Sequence, residues 1–390
     1  MNEPVLVLHK GKDKAVRNRH HWIFSGAVKR LPSGIEQGAL LPVMSAEGEL
    51  LGHAYINTKC SILARMVSFG AEPPLEAVRR NIERAWVLRG RLFGHDTNAF
   101  RVVHGEGDGL PGLVVDKYAD VCVLQVATLG MEKLKPHVLE ILRGLIRPRV
   151  IYEKSSLPLR HEEGLADFEG ALQGKLSGPV EIVESGQRFL VDIAESQKTG
   201  FFLDQREMRR LVALFSRGRL VLNAFAYTGA FSVYALKGGA LRVDAVDTSA
   251  PALELGRRNI GLNGLDESKA RFEAADVFAF LRRKNLDYDF IILDPPAFAK
   301  KKNDVIPACR GYKDINRLAM LSLPPGGLLM TFSCSHFVDE TLFRKVLFQA
   351  AREADRTVKI LQKHRMALDH PVNIYHPESE YLKGFLLHVD

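Results

Sequence analysis

The chain has 390 residues, 46% of them hydrophobic and 26% charged, with a formal net charge of +8. That length predicts two or three domains, and that balance excludes a disordered chain and describes a soluble globular one. The positive charge suits an acidic partner such as nucleic acid. The four cysteines, Cys60, Cys122, Cys309 and Cys334, lie scattered without a Cys-x-x-Cys pair, which argues against a metal site or a disulfide scaffold and fits a reducing, cytoplasmic compartment.

No segment reads as a signal peptide or a membrane span: the apolar run at residues 5–8 is too short, and Asn223, Thr228 and Gly229 interrupt the longest low-charge stretch.

Residues 5–8 read as a strand. A basic segment carrying Lys10, Lys12, Lys14, Arg17 and Arg19 follows, then Trp22 and Phe24. Alternating runs at 40–44, 52–56 and 62–67, each bounded by Gly, Asn or Ser, predict short strands, so residues 1–72 form a small β-barrel-like module closed by Pro73-Pro74. From 75 to 91 apolar residues recur near helical spacing. Strands at 100–103, 112–116 and 121–126, a helix at 131–146 and a strand at 150–153 make an α+β middle domain, 75–178. A hairpin pairing 180–184 with 189–193 leads into the last block, 180–390.

There strands and helices alternate: strands at 220–222, 241–246, 271–274, 290–293, 328–332, 358–361 and 384–389, with helices at 249–263, 278–281, 314–321 and 339–354. This predicts an α/β fold, a doubly wound and mostly parallel sheet with helices on both faces. In such a sheet ligands bind beyond the carboxyl ends of the strands.

The residues just past each strand therefore matter most. After the first come Phe225, Tyr227, Thr228 and Gly229, a glycine turn that lets a ligand approach the backbone. After the second come Asp247 and Thr248; a carboxylate eighteen residues beyond Gly229 suits the two hydroxyls of a ribose. Asp276, after the third, is placed for an adenine amino group. Both acids precede a helix and can equally be read as caps. After the fourth comes Asp294-Pro-Pro296, whose prolines fix the turn and present side chains to the crevice. Ser333, Cys334 and Ser335 follow the fifth; the hydroxyls are placed to support a thiolate. Trp22 and Phe24 are expected in the core, with RNA binding and a merely solvated face both open for the basic run beside them.

Asn223-x-Phe-x-Tyr-Thr-Gly-x-Phe231, Asp294-Pro-Pro-x-Phe298 and Phe332-Ser-Cys-Ser335 resemble class I S-adenosylmethionine-dependent RNA methyltransferases, and more narrowly the 23S ribosomal RNA 5-methylcytosine methyltransferase I family. Phe201-Phe-Leu-Asp-Gln-Arg206 and Ala308-Cys-Arg-Gly-Tyr-Lys-Asp-Ile-Asn316 are similar to that family too, and His21-Trp-Ile-Phe-Ser-Gly26 resembles its amino-terminal PUA domain. The resemblance spans nearly the whole chain and implies a PUA-like RNA-binding module followed, after the middle domain, by a Rossmann-like methyltransferase.

It implies S-adenosyl-L-methionine as cofactor, with Phe202, Asp204 and Arg206 near its methionine carboxylate and amine. Asn223, Phe225, Tyr227, Thr228, Gly229, Asp247, Thr248, Asp276, Asp294 and Pro295 line the rest of the pocket. Asn223 stands where the family pattern leads one to expect Asp. Cys334, not Cys309, is implied as the nucleophile that adds to carbon 6 of a pyrimidine so that carbon 5 can accept a methyl group. Asp294 would hold the cytosine's Watson–Crick edge; whether it also takes the carbon-5 proton stays open. Lys300 would bind a phosphate or the base, and Phe298 and Arg310 join it and the basic run on the RNA path. Large-subunit ribosomal RNA is the expected partner, a membrane is not, and a homodimer is admitted without being required. The rival readings are a methyltransferase acting on uracil carbon 5 or a guanine nitrogen, and a non-catalytic RNA-binding assembly factor.

Overall fold

The computed structural model of the chain describes residues 4–196 and 198–390. They form two compact units, one of Met1–Ile182, Val191–Leu203 and Leu368–Ser379, the other of Val183–Leu190, Asp204–Ala367 and Glu380–Asp390.

In the first unit the amino-terminal runs form a six-stranded sheet. Its strands lie in the order Trp22–Phe24, Ile62–Phe69, Leu50–Ile56, Leu40–Met44, Leu6–Leu8, Val28–Arg30. Alternation sets its inner face: along Leu40–Met44 only Leu41 and Val43 are buried, and they pack with Leu6, Leu8, Ala54 and Met66. Trp22–Phe24 and Val28–Arg30 are three residues each, too short for a period of two to show in the sequence. The expectation that Phe24 is core is corrected. Ile23 takes the inward position, and Phe24 is 51% exposed. Trp22 is half-buried, its indole N–H donating to Glu106 Oε1 at 2.9 Å.

A five-stranded sheet follows in the order Phe168–Gln173, Val150–Ser155, Val121–Val126, Leu113–Tyr118, Ala99–His104. Helices Pro74–Leu92 and Leu129–Leu145 bring Val78, Ile82, Val138 and Leu142 into one cluster with Val115 and Leu124. Tyr55 and Val67 of the first sheet join the same cluster, so the two sheets share a core. Strand Phe168–Gln173 has no buried face and left no alternation to read.

The second unit is built on a seven-stranded sheet with strands Leu220–Ala224, Arg242–Asp247, Ala270–Ala274, Phe290–Leu293, Gly327–Ser333, Val358–His364 and Lys383–Val389. From edge to edge they run third, second, first, fourth, fifth, seventh, sixth. The first five are parallel, and the seventh is antiparallel to both the fifth and the sixth. Phe290–Leu293 and Gly327–Ser333 are buried at every position, as central strands covered on both faces must be. Strand order reverses between the first and fourth strands, the place where such sheets open a ligand crevice. Helix Val305–Ser322 starts well before the expected residue 314; Pro307 lies in its first turn, where a missing N–H costs nothing. Among the described residues no helix is long and apolar enough to cross a membrane.

Candidate active site

The first strand ends at Ala224, and helix Ala230–Lys237 begins just beyond Gly229. Phe225 and Tyr227 adopt left-handed backbone, φ 62° and 49°, at a cost of about 1–3 kcal/mol each. The turn after the first strand is therefore strained. Asp247 holds it in place: Oδ2 accepts from the Tyr227 N–H and Oδ1 from the Ser249 N–H, both at 2.9 Å. A carboxylate has about four acceptor sites, so capacity remains for ribose hydroxyls.

Gly229 is left-handed too, φ 71°, and a Cβ there would stand 3.3 Å from Gly256 Cα. Conformation and a close helix approach therefore demand this glycine before any ligand does. Thr228 is buried, its carbonyl accepting from Asn259 Nδ2 at 3.0 Å, and Thr248 is exposed. Asp276 is exposed and its Oδ1 caps the helix Val277–Leu281 through the Ala279 N–H at 2.8 Å, so the capping reading is realised with one oxygen. Asn223 is fully buried within the first strand, and its amide donates to Ser232 Oγ at 3.0 Å, a bond an ionised Asp could not make. Its side chain is engaged with the following helix.

The loops after the fourth and fifth strands are locked together. Ser335 Oγ accepts from the Ala299 N–H at 3.0 Å and lies 2.9 Å from the Tyr312 hydroxyl. This brings Asp294, Pro295 and Cys334 together: Cys334 Sγ is 3.8 Å from the Pro295 carbonyl oxygen, and Asp294 Oδ1 accepts from Gln205 Nε2 at 3.0 Å. Both neighbouring hydroxyls take part in local hydrogen bonds. Ser333 Oγ accepts from the Ser335 N–H, and Ser335 is spent on the clamp. Lys383, cross-strand partner of Ser333, places its ammonium 2.7 Å from the Ser335 carbonyl oxygen. Gln205 and Tyr312 fall within the 201–206 and 308–316 motifs without an expected role there, and Lys383 lies outside every motif, its signal being a lysine that opens an apolar strand.

Cys309 is half-buried on helix Val305–Ser322, and burial pushes its thiol up. Phe298 is partly buried. Its ring packs 4.6 Å from Tyr312 and 6.0 Å from Phe278 in the sheet's core cluster. Lys300 and Arg310 are exposed.

Asp204 accepts from the Tyr381 hydroxyl at 2.6 Å, and its backbone carbonyl meets the Ala367 N–H. Arg206 is buried with Nε 3.3 Å from Glu184 Oε2, so the structure gives its charge a protein carboxylate where a methionine carboxylate was expected. Phe202 belongs to the first unit, under the Lys198 ammonium 5.0 Å from its ring centroid. In that unit Lys10, Lys12, Lys14, Arg17 and Arg19 are all exposed, but Arg17 is ion-paired with Asp13 at 2.5 Å and Glu49 at 2.7 Å.

A seven-stranded sheet of this order, with a strained turn after its first strand and an acid after its second, is a doubly wound α/β sheet with a nucleotide-type crevice at its switch point. The family model of S-adenosylmethionine-dependent methyltransferases matches residues 159–367, and that of PUA-like domains residues 6–69. The chain is 42% identical to the ribosomal RNA large subunit methyltransferase I of Erwinia tasmaniensis, covering 98% of this chain and 99% of that one. It is also 42% identical to the protein of that name from Vibrio cholerae, covering 98% of each. A solved S-adenosylmethionine-dependent methyltransferase from Streptococcus mutans shares the fold at TM-score 0.83 and 23% identity, over 98% of this chain and all of that one. A methyltransferase solved with S-adenosylhomocysteine does so at 0.84 and 23%, over 98% and 99%. The chain belongs to the ribosomal RNA large subunit methyltransferase I family, and its cofactor is S-adenosylmethionine.

S-adenosylhomocysteine at about 100 times its dissociation constant should stabilise the protein by about 2.7 kcal/mol, read as a rise in Tm. Asp247→Ala should shrink that rise by loosening the turn at Tyr227. An unchanged rise in the variant would remove Asp247 from the pocket.

Proposed function

We propose that the protein methylates carbon 5 of a cytosine in large-subunit ribosomal RNA, in the cytoplasm, through a covalent adduct on Cys334. One observation carries the reading. A partly exposed thiol at the end of the fifth strand is held against the Asp294-Pro-Pro turn of the fourth, where such sheets bind ligands. The relatives' name, ribosomal RNA large subunit methyltransferase, supports the choice of RNA.

The Cys334 thiolate adds to carbon 6 of the flipped-out base. The Sγ–C6 bond forms, and the electron pair of the C5–C6 double bond makes carbon 5 nucleophilic. The 225–229 turn and Asp247 would hold S-adenosylmethionine, which would supply the methyl group to carbon 5 and leave as S-adenosylhomocysteine. Asp294 accepts a hydrogen bond from the cytosine amino group and orients the ring. A base then takes the proton from carbon 5, its electron pair re-forms the C5–C6 double bond, and the Sγ–C6 bond breaks to return the thiolate. The test uses purified protein, labelled S-adenosylmethionine and ribosomal RNA from cells lacking the protein. Label should appear in 5-methylcytidine; label in another nucleoside overturns the reading.

The amino-terminal module, 1–72, docks the RNA through Lys10, Lys12, Lys14 and Arg19. Neutralising these four should reduce the slope of log affinity against log salt by about 0.7 for each phosphate that is no longer neutralised. Arg17→Gln should change it little, because Asp13 and Glu49 already compensate that charge. A slope indifferent to the four substitutions would move the RNA path elsewhere.

A further inference from the structure

A buried ammonium sits behind the proposed nucleophile. Lys383 is only 6% exposed, opens the seventh strand, and pairs with Ser333 on the fifth, one residue before Cys334. Its Nζ donates to the carbonyl oxygens of Ser335 and Tyr381, both at 2.7 Å. No carboxylate forms an ion pair with it among the described residues. A lysine is seldom buried without an anionic partner. The titratable groups that act on it are the Cys334 thiol, Asp339 and Glu380, with Cys334 the strongest, and the thiol in turn acts on the Tyr312 hydroxyl.

We propose that Lys383 is the positioning residue that keeps Cys334 in its thiolate form, its ammonium serving as the counter-charge of the nucleophile. The proposal rests on Cys334 being the nucleophile. The two carbonyl acceptors fix Nζ beside the loop that carries the thiol, so the cation is in place before substrate arrives. A nearby cation favours the charged form of a thiol, and the interaction is reciprocal. Burial, opposed in part by negative charge on Cys334, leaves the Lys383 ammonium lowered to about 8. At neutral pH the ammonium form is therefore present to pair with a thiolate.

The experiment follows the pH dependence of iodoacetamide alkylation at Cys334, located by peptide mass spectrometry, in the full-length protein. Lys383→Met, and Lys383→Gln, which keeps a donor for the carbonyls, should both move the alkylation midpoint upward by about one pH unit. At neutral pH that is an alkylation rate about tenfold lower. Lys383→Arg, which keeps the charge, should stay near the parent midpoint. A merely structural lysine would leave the midpoint in place in whichever neutral variant folds, and that result overturns the proposal. The same proteins are tested for adduct formation with RNA carrying 5-fluorocytidine. An adduct in the parent with no midpoint shift in the variants sinks the role of Lys383 and leaves the nucleophile standing. A midpoint shift with no adduct in the parent supports the ion pair and sinks the cytosine chemistry.

Discussion

Cys334→Ala is expected to lower methyl transfer at least about a thousandfold and to abolish the covalent adduct with RNA carrying 5-fluorocytidine, while Cys309→Ala retains both. Fluorine in place of the carbon-5 hydrogen blocks the elimination that frees the enzyme, so the Sγ–C6 bond persists and shows as a shifted band on a denaturing gel. The contrast between the two cysteines follows from their surroundings. Cys334 lies at a strand end in the crevice, held near the Pro295 carbonyl. Cys309 lies along a helix against the core, where burial pushes its thiol up and away from the thiolate form. An adduct that survives in Cys334→Ala and disappears in Cys309→Ala would reverse the assignment.

Arg209→Met should destabilise the methyltransferase unit by about 3–5 kcal/mol, seen as a fall in the urea midpoint. Glu184 is fully buried, and Arg209 binds it through two charge-assisted hydrogen bonds, Nε to Oε1 at 2.7 Å and Nη2 to Oε2 at 2.6 Å. Arg206 and the Tyr234 hydroxyl also reach this carboxylate, at 3.3 and 3.2 Å. The Tyr234 proton is held tightly, chiefly by burial and then by the Glu184 charge. Without Arg209 a buried carboxylate keeps only part of its compensation. Adding Glu184→Gln removes the uncompensated charge and should recover much of the loss, since a buried ion pair costs most when one partner is taken away. A single variant within about 1 kcal/mol of the parent would show that Arg206 and Tyr234 suffice to satisfy Glu184.

Much of the methyltransferase sheet was legible because its central strands are short, largely apolar and punctuated by turn residues. Residues 290–293 were bounded as observed, and the first, third and fifth strands were placed within two residues. What escaped had a physical reason. Strand Phe168–Gln173 buries no face, so hydrophobicity could not mark it. Helix Val305–Ser322 follows a polar run at 300–304 and carries Pro307 in its first turn, so its start reads as loop. At the site, spacing along the chain located strand-end residues but not their partners. Gln205 reaches Asp294 across 89 positions and Lys383 reaches Ser335 across 48, contacts that only the folded sheet creates. Likewise Arg206 reads as a free cation until Glu184 is seen beside it. The strain at Phe225 and Tyr227 leaves no trace in residue type, since neither is a residue that favours left-handed backbone.

Nucleoside mapping of large-subunit ribosomal RNA from cells with and without this protein addresses the central claim most directly. One 5-methylcytidine should vanish from the RNA when the protein is absent and return with the parent chain but not with Cys334→Ala. An unchanged set of 5-methylcytidines, with a methylated guanine or uracil lost instead, would contradict it.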